Sequence, residues 1–205
     1  DTVIVHFSKG PEAFKARWEG RPKTPPFRWG ADGLIGATDQ DWLEDGLDMY
    51  AYGVDDLVNE SLAQVSPEAK EEDVKATHAV LVKYGGMLQA IFKYYEAFGD
   101  QSVQAVDKMN MEQFRQCMRD AKVTNATFKP DNVDECFTEV QPRNLKGASK
   151  KSSNDSSIGI EGFFIGLVRV AARKYDMGRE NGFAELSMRL SHFITNEIFN
   201  NLGPI

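Results

Sequence analysis

Apolar residues recur at three- and four-residue steps along most of the chain, which is the spacing of a helix with one buried face. A Ser-Pro pair at 66–67 is typical of a helix start, and an apolar stripe follows from Val74 to Tyr95. The glycine pair at 85–86 is expected to break or kink that stripe into two helices.

More helices are predicted after residue 108, over 109–121 and near 130–140. The stretch 160–175, IEGFFIGLVRVAARKY, is typical of a buried helix, and 182–202 of a closing amphipathic helix. A Gly-Pro pair at 203–204 is expected to stop that last helix. The pattern therefore predicts an all-α fold.

The first 35 residues are different, because Pro, Gly and aromatic residues are frequent and no helical stripe is sustained. Their first thirty positions carry six basic and three acidic side chains. We expect residues 1–35 to form an extended basic arm. Aromatic and Arg side chains are common interface anchors, so the arm is predicted to bind a protein partner. Its predicted partner-binding residues are Trp18, Arg21, Phe27, Arg28 and Trp29. An arm that only packs on its own domain is the alternative.

The remainder, 36–205, is predicted to be one helical domain with three parts. An acidic helical segment covers 36–65, and from Asp32 to Asp73 the chain holds thirteen acids against one base. These acids are expected on a solvated face, with a basic partner surface as the alternative. The body covers 66–205, and a polar flexible insertion is expected within it at 141–157.

The composition of the chain limits the classes of partner that it is expected to bind. The net charge of −7 and the pI of about 5.1 argue against nucleic acid. No apolar run reaches the roughly 20 residues of a membrane-spanning helix, so any membrane association is expected to be peripheral to a membrane complex.

Cys117 and Cys136 are expected to be buried reduced thiols. A disulfide between them is the alternative, because the sequence does not give the distance between the two residues. The chain starts with Asp, which suggests a processed or trimmed N-terminus.

Two stretches follow the frame of an EF-hand calcium loop. Met109 and Ile158 take the apolar position 8, and Phe114 and Phe163 then begin the exit helices. Asp107 falls at the turn position 6 of the first loop.

The oxygen ligands that calcium needs are largely missing from both loops. Positions 1, 3, 5 and 12 hold Ser102, Gln104, Val106 and Gln113 in the first loop, and Lys151, Ser153, Asp155 and Gly162 in the second. Because affinity falls with the number of charged ligands, neither loop is expected to bind calcium at cellular concentrations. No metal and no cofactor is predicted.

Enzyme signatures are absent from the sequence, which contains no dinucleotide, P-loop, nucleophile-elbow or zinc-protease motif. Three histidines are scattered, and His78 and His192 in helical text are weak candidates for contact with a chlorophyll magnesium. Adjacent acids such as Asp55 and Asp56 do not face each other on a helix and make poor acid–base pairs. The chain is therefore predicted not to be an enzyme, with unfamiliar chemistry in the acidic segment 39–60 as a weaker alternative.

Three segments carry a family resemblance: MEQFRQCMRDAKVT, DNVDECF and IGIEGFFIGLVRVAARKY. They resemble the divergent EF-hand-like helical module of the p25-alpha (tubulin polymerisation-promoting) proteins and related algal and protist domains. The resemblance covers roughly residues 75–200. It implies an EF-hand-like helical bundle with a binding or scaffolding role and no catalysis, but it carries over no tubulin-contact residues.

The sequence thus favours a non-catalytic linker or scaffold subunit of a larger multiprotein assembly. An algal organellar complex, such as a photosystem or light-harvesting complex, and a ciliary microtubule lattice are the two settings considered. The compartment is open, and the start at Asp favours a plastid over a cilium. A calcium-responsive EF-hand-type regulator is the alternative function.

Overall fold

The computed structural model describes residues 47–62, 66–97, 107–145, 156–177 and 185–202 of the chain. In these ranges the regular structure is helical, so the predicted all-α class is confirmed. The helices are α1 Val54–Ser61, α2 Pro67–Glu96, α3 Met111–Asp120, α4 Pro130–Glu139, α5 Ile160–Met177, α6 Leu186–Phe193 and α7 Asn200–Leu202. The arm 1–35 and most of the insertion 141–157 lie outside the described residues.

The long helix α2 begins where the sequence indicates. Ser66 Oγ accepts the Ala69 N–H at 3.4 Å, and Pro67 takes the first helical position, where no backbone donor is needed. The expected break at Gly85–Gly86 is wrong, because the helix continues through both glycines to Glu96. Both glycines are buried, and tertiary packing of this face outweighs their cost of about 1 kcal/mol each in helix propensity.

Helices α2 to α5 meet in an aromatic cluster of five phenylalanines that are fully buried. The members of this aromatic cluster are Phe92, Phe114, Phe137, Phe163 and Phe164. Ring centroids lie 5.5 Å apart for Phe92 and Phe163 and again for Phe114 and Phe137. Burying each of these side chains contributes about 1.5–3 kcal/mol, so the cluster holds the four helices together.

Helix α6 packs against both α2 and α5, and these are the most extensive helix contacts among the described residues. Between α6 and α7 the chain forms a wider π-helical turn over Ile194–Phe199. Thr195 Oγ1 donates to the Ser191 carbonyl at 2.8 Å within this region, and Ile194 and Ile198 remain buried. The wider turn therefore keeps the apolar face directed at the core.

None of the helices in the described part of the chain is long and apolar enough to cross a membrane.

Both cysteines are buried and unpaired, which confirms the predicted reduced thiols. Cys117 lies on α3 and Cys136 on α4. Burial raises the pKa of the Cys117 thiol well above its ordinary value and the pKa of Cys136 to about 12. Neither thiol is activated as a nucleophile at neutral pH.

Because both thiols have raised pKa values in the folded state, the folded protein is expected to become less stable at alkaline pH. A group whose pKa is raised on folding keeps its proton in the folded state after the unfolded state has lost it. Above about pH 9 the free energy of unfolding should therefore fall by about 1.4 kcal/mol per pH unit for each thiol. Urea unfolding between pH 7 and pH 10 measures this slope. A Cys136→Ala variant should show a shallower slope, and an unchanged slope would contradict the assignment to Cys136.

A buried aspartate joins two helices that are far apart in the sequence. Asp73 on α2 is 4% exposed, and its carboxylate accepts the N–H groups of Leu186 and Ser187 at 2.7 and 3.0 Å. These donors are among those that a helix start leaves without an intrahelical partner. Asp73 therefore caps α6 from another helix and adds a favourable charge at its N-terminus.

The Asp73→Ala variant should lower the free energy of unfolding by about 1–3 kcal/mol, because two buried N–H groups lose their acceptor. Glu72→Ala is the matched control, since Glu72 precedes Asp73 on the same helix and is exposed. Chemical denaturation of both variants gives the comparison. Equal stability of the two variants would show that the cap contributes little.

Candidate functional site

The two loops that the sequence alignment compares with EF-hand loops are joined by a pair of backbone hydrogen bonds. The Met109 N–H donates to the Ile158 carbonyl at 2.8 Å, and the Ile158 N–H donates to the Met109 carbonyl at 2.9 Å. Both side chains are fully buried. The bridge therefore joins the two residues that the loop alignment places at position 8.

The two phenylalanines that begin the exit helices also contact each other. Phe114 and Phe163 each lie five residues after a bridge residue, on α3 and α5. Their rings stand edge-to-face with centroids 6.2 Å apart. The two halves thus share one spacing from bridge to aromatic cluster, although their sequences differ between these positions.

Asp107, at the turn position of the first loop, has a φ of 66° in the left-handed region. Asp adopts this conformation more readily than most residues. Its backbone N–H donates to Glu96 Oε1 at 2.6 Å, and its carboxylate contacts the Lys93 ammonium. Lys93 Nζ also lies 3.1 Å from Glu96 Oε2. Two side chains at the end of α2 therefore hold the turn in place.

Partial burial lowers the pKa of Lys93, but hydrogen bonds to Asp107 and Glu96 outweigh it and raise the pKa above its ordinary value. Lys93 is therefore charged at neutral pH.

Gln113 stands at position 12 of the first loop, where a calcium loop has a bidentate Glu. Its Oε1 accepts the Asn110 N–H and its Nε2 donates to the Glu96 carbonyl, both at 2.7 Å. Asn110 Oδ1 in turn accepts the Gln113 N–H at 2.9 Å, which completes a capping box at the start of α3. Gln113 is 3% exposed and is fully engaged within the protein.

In the second loop, position 12 is Gly162, and the surrounding atoms leave little room for a side chain. A Cβ at this position would lie 3.0 Å from the Ile158 Cβ and 3.3 Å from the Val140 carbonyl oxygen. Ile158 is fixed by the backbone bridge and cannot move away easily. The bidentate ligand of a calcium loop is therefore missing here, and the space for it is missing as well.

The described residues contain no cluster of three or more His, Cys, Asp or Glu side chains that could hold a metal ion. The loop positions Ser102, Gln104, Val106, Lys151, Ser153 and Asp155 lie outside the described ranges.

The two histidines in the helices lie on α6 and α2. His192 packs edge-to-face on Tyr175 at 5.3 Å, and its Nδ1 lies 2.9 Å from Asn196 Nδ2. His78 lies on α2, half-buried.

A cleft of about 280 Å³ opens between α1, α5 and α6, beside part of the acidic segment. Its charged lining comprises Asp56, Glu60, Glu139, Asp176, Arg169, Arg173 and Arg189. Glu139 accepts from both Arg169 and Arg173, and Arg169 also donates to the Tyr52 carbonyl at 2.7 Å. Four carboxylates and three guanidinium groups therefore lie in the cleft. Among the described residues, its lining includes no Ser, Cys, His or Lys that could act as a nucleophile.

Residues 89–186 match the model of the p25-alpha family. This p25-alpha-like segment runs from the last third of α2 to the first residue of α6, and it includes the bridge and the whole aromatic cluster. The resemblance expected for roughly 75–200 is confirmed over this range. The p25-alpha family is not known as a family of enzymes. No curated protein and no solved structure matches the chain.

The structure also shows two residues that hold the turn at Asp107 and that the sequence analysis did not identify. Lys93 and Glu96 belong to α2 and lie outside the ligand positions of the loop, so an alignment of loop positions does not include them. The only sequence signal was their spacing, since side chains at i and i+3 share a helix face. The predicted partner-binding residues Trp18, Arg21, Phe27, Arg28 and Trp29 lie outside the described residues.

The close packing around Gly162 can be tested by adding a methyl group at this position. Gly162→Ala should lower the free energy of unfolding by about 1 kcal/mol, because overpacking outweighs the gain in helix propensity. Gly159→Ala is the matched control, since a Cβ there has no atom within 4 Å. Urea unfolding compares the two variants, and an equal effect would contradict the crowding.

A Gly162→Glu variant, which supplies the missing ligand type, should still bind no calcium at micromolar concentration. Titration calorimetry measures this, and a micromolar site would contradict the geometry of the second loop.

Proposed function

We propose that the protein is a non-catalytic linker or scaffold subunit that connects other proteins in a larger assembly. The observation that carries this proposal is that the described ends of the two loops are held by the protein's own groups. These groups are the backbone bridge, the Gln113 capping box and the crowded contacts around Gly162. Such a body supports a role that depends on its shape and its contacts.

The similarity to the p25-alpha family supports the same role, because the matched segment contains the bridge and the aromatic cluster. The resemblance to tubulin polymerisation-promoting proteins favours a microtubule lattice as the setting. An algal organellar complex, such as a photosystem or light-harvesting complex, remains the alternative setting, and the family match adds no support to it.

The arm 1–35 is proposed as the partner-binding element. Spaced Trp and Phe side chains supply a large apolar contact area, and Arg adds planar donors for carboxylates or carbonyl groups on a partner. The helical body would then present a fixed shape beside the arm. The net charge of −7 for the whole chain makes a basic arm the favoured contact for an acidic surface.

The calcium-responsive alternative gains no support from the described residues. Neither Gln113 nor Gly162 offers a carboxylate at position 12, and Gln113 is already hydrogen-bonded on both sides of its amide. A calcium switch needs an ion with different affinities for two states, and the described residues of these loops contain no cluster of three acidic, His or Cys side chains that could hold one.

Co-sedimentation with purified microtubules tests the role and the named residues together. The full chain should pellet, and a variant with Trp18, Arg21, Phe27, Arg28 and Trp29 all changed to Ala should bind at least about tenfold more weakly, as expected when interface anchors are lost. The Lys9→Ala, Lys15→Ala double variant is the control, because it removes the same positive charge from the same arm.

Equal loss in both variants would show that general charge, and not the named anchors, carries the contact. A full chain that stays in the supernatant would show that the microtubule setting is wrong.

A further inference from the structure

We propose that the Lys93 ammonium is the built-in cation of the first loop. It takes the role that a bound ion plays in an EF-hand loop and keeps the turn closed without metal. This inference does not depend on the identity of the partner or on the arm.

The geometry places one positive group between two negative ones. Lys93 Nζ contacts Asp107 Oδ1 on one side and lies 3.1 Å from Glu96 Oε2 on the other. The second oxygen of Glu96 accepts the Asp107 backbone N–H at 2.6 Å. The ammonium, the two carboxylates and one backbone amide thus form a closed ring that ties α2 to the turn at Asp107.

The ring also reaches the next helix. The backbone carbonyl of Glu96 accepts the Gln113 side-chain amide at 2.7 Å, and the other end of that amide caps α3. A displacement of Glu96 would therefore disturb both the turn and the start of α3. An ion in a calcium loop has a comparable effect, since its ligands come from the loop and the exiting helix.

The charges explain why the ammonium is needed. The side chain of Glu96 is 11% exposed, so its carboxylate is largely removed from water. Without Lys93, this carboxylate would face Asp107 without the ammonium that now lies beside it, and a poorly solvated charge that loses its partner is strongly unfavourable. Asp107 is 69% exposed and adds a second negative charge at the same point.

An ammonium suits this position chemically. It has three N–H donors and a compact positive charge, and it binds the same carboxylate oxygens that calcium prefers. It is also part of the chain, so its occupancy does not depend on the ion concentration around the protein. The turn at Asp107 is therefore expected to keep one conformation whether calcium is present or not.

A double-mutant cycle on the full chain tests the ring. Lys93→Met removes the charge and keeps the length of the side chain, and Asp107→Asn removes the facing charge with a residue that tolerates positive φ. Amide exchange at residue 107 is measured by NMR, and the melting temperature is measured in EDTA. Lys75→Met is the matched control, because Lys75 makes an exposed ion pair with Glu71 on the same helix.

In Lys93→Met, exchange at residue 107 should be at least about tenfold faster and the melting temperature about 5 °C lower than in the unchanged chain. Adding Asp107→Asn should recover part of both losses, because the repulsion between the carboxylates is then removed. The control should leave exchange at residue 107 unchanged. Equal exchange in Lys93→Met and Lys75→Met would overturn the proposal, and so would a double variant with no recovery.

Calcium provides a second readout for the same variants. Millimolar calcium should raise the melting temperature of Lys93→Met, whose two carboxylates lack a cation, and leave that of the unchanged chain within error. The same calcium response in both proteins would overturn the proposal. No partner protein enters these measurements, so they are independent of the microtubule experiment.

Discussion

Two backbone hydrogen bonds between Met109 and Ile158 are the contact on which the rest of the body depends. They join segments 49 residues apart and fix the register between two helix–loop–helix halves. Because each exit phenylalanine follows five residues later, this register brings Phe114 and Phe163 into the same aromatic cluster. The crowding at Gly162 also follows from it, since the neighbouring Ile158 is held by the bridge. A change of register would displace all of these contacts together.

Around the bridge, the described part of each loop is held by groups of the protein itself. The first loop relies on charge, through Lys93, Glu96 and Asp107, and the second relies on close packing at Gly162. Asp73 does the same for α6 by accepting its first N–H groups from a neighbouring helix. In the described residues, these turns and helix starts therefore find their hydrogen-bonding and charge partners within the protein. The proposed scaffold role would use such a body to hold partners at a fixed distance and angle.

The helices were predictable to the extent that local signals decide them. Ser66 and Pro67 mark the start of α2, and the apolar spacing of α5 marks a buried helix. The glycine pair at 85–86 misled the prediction, because helix propensity counts glycine as a break while burial against neighbouring helices keeps α2 continuous. The loop alignment also paired Met109 with Ile158 and Phe114 with Phe163, and in the structure the members of each pair contact each other.

The sequence alone indicated the all-α class, the buried thiols and the similarity to p25-alpha, because each depends on residue type and local spacing. Tertiary structure alone decided which groups hold the turn at Asp107 and the start of α6. Lys93 and Asp107 are fourteen residues apart, and Asp73 caps a helix more than a hundred residues away. Such contacts arise only when packed helices bring distant charges within a few ångströms, and no spacing along the chain encodes that distance.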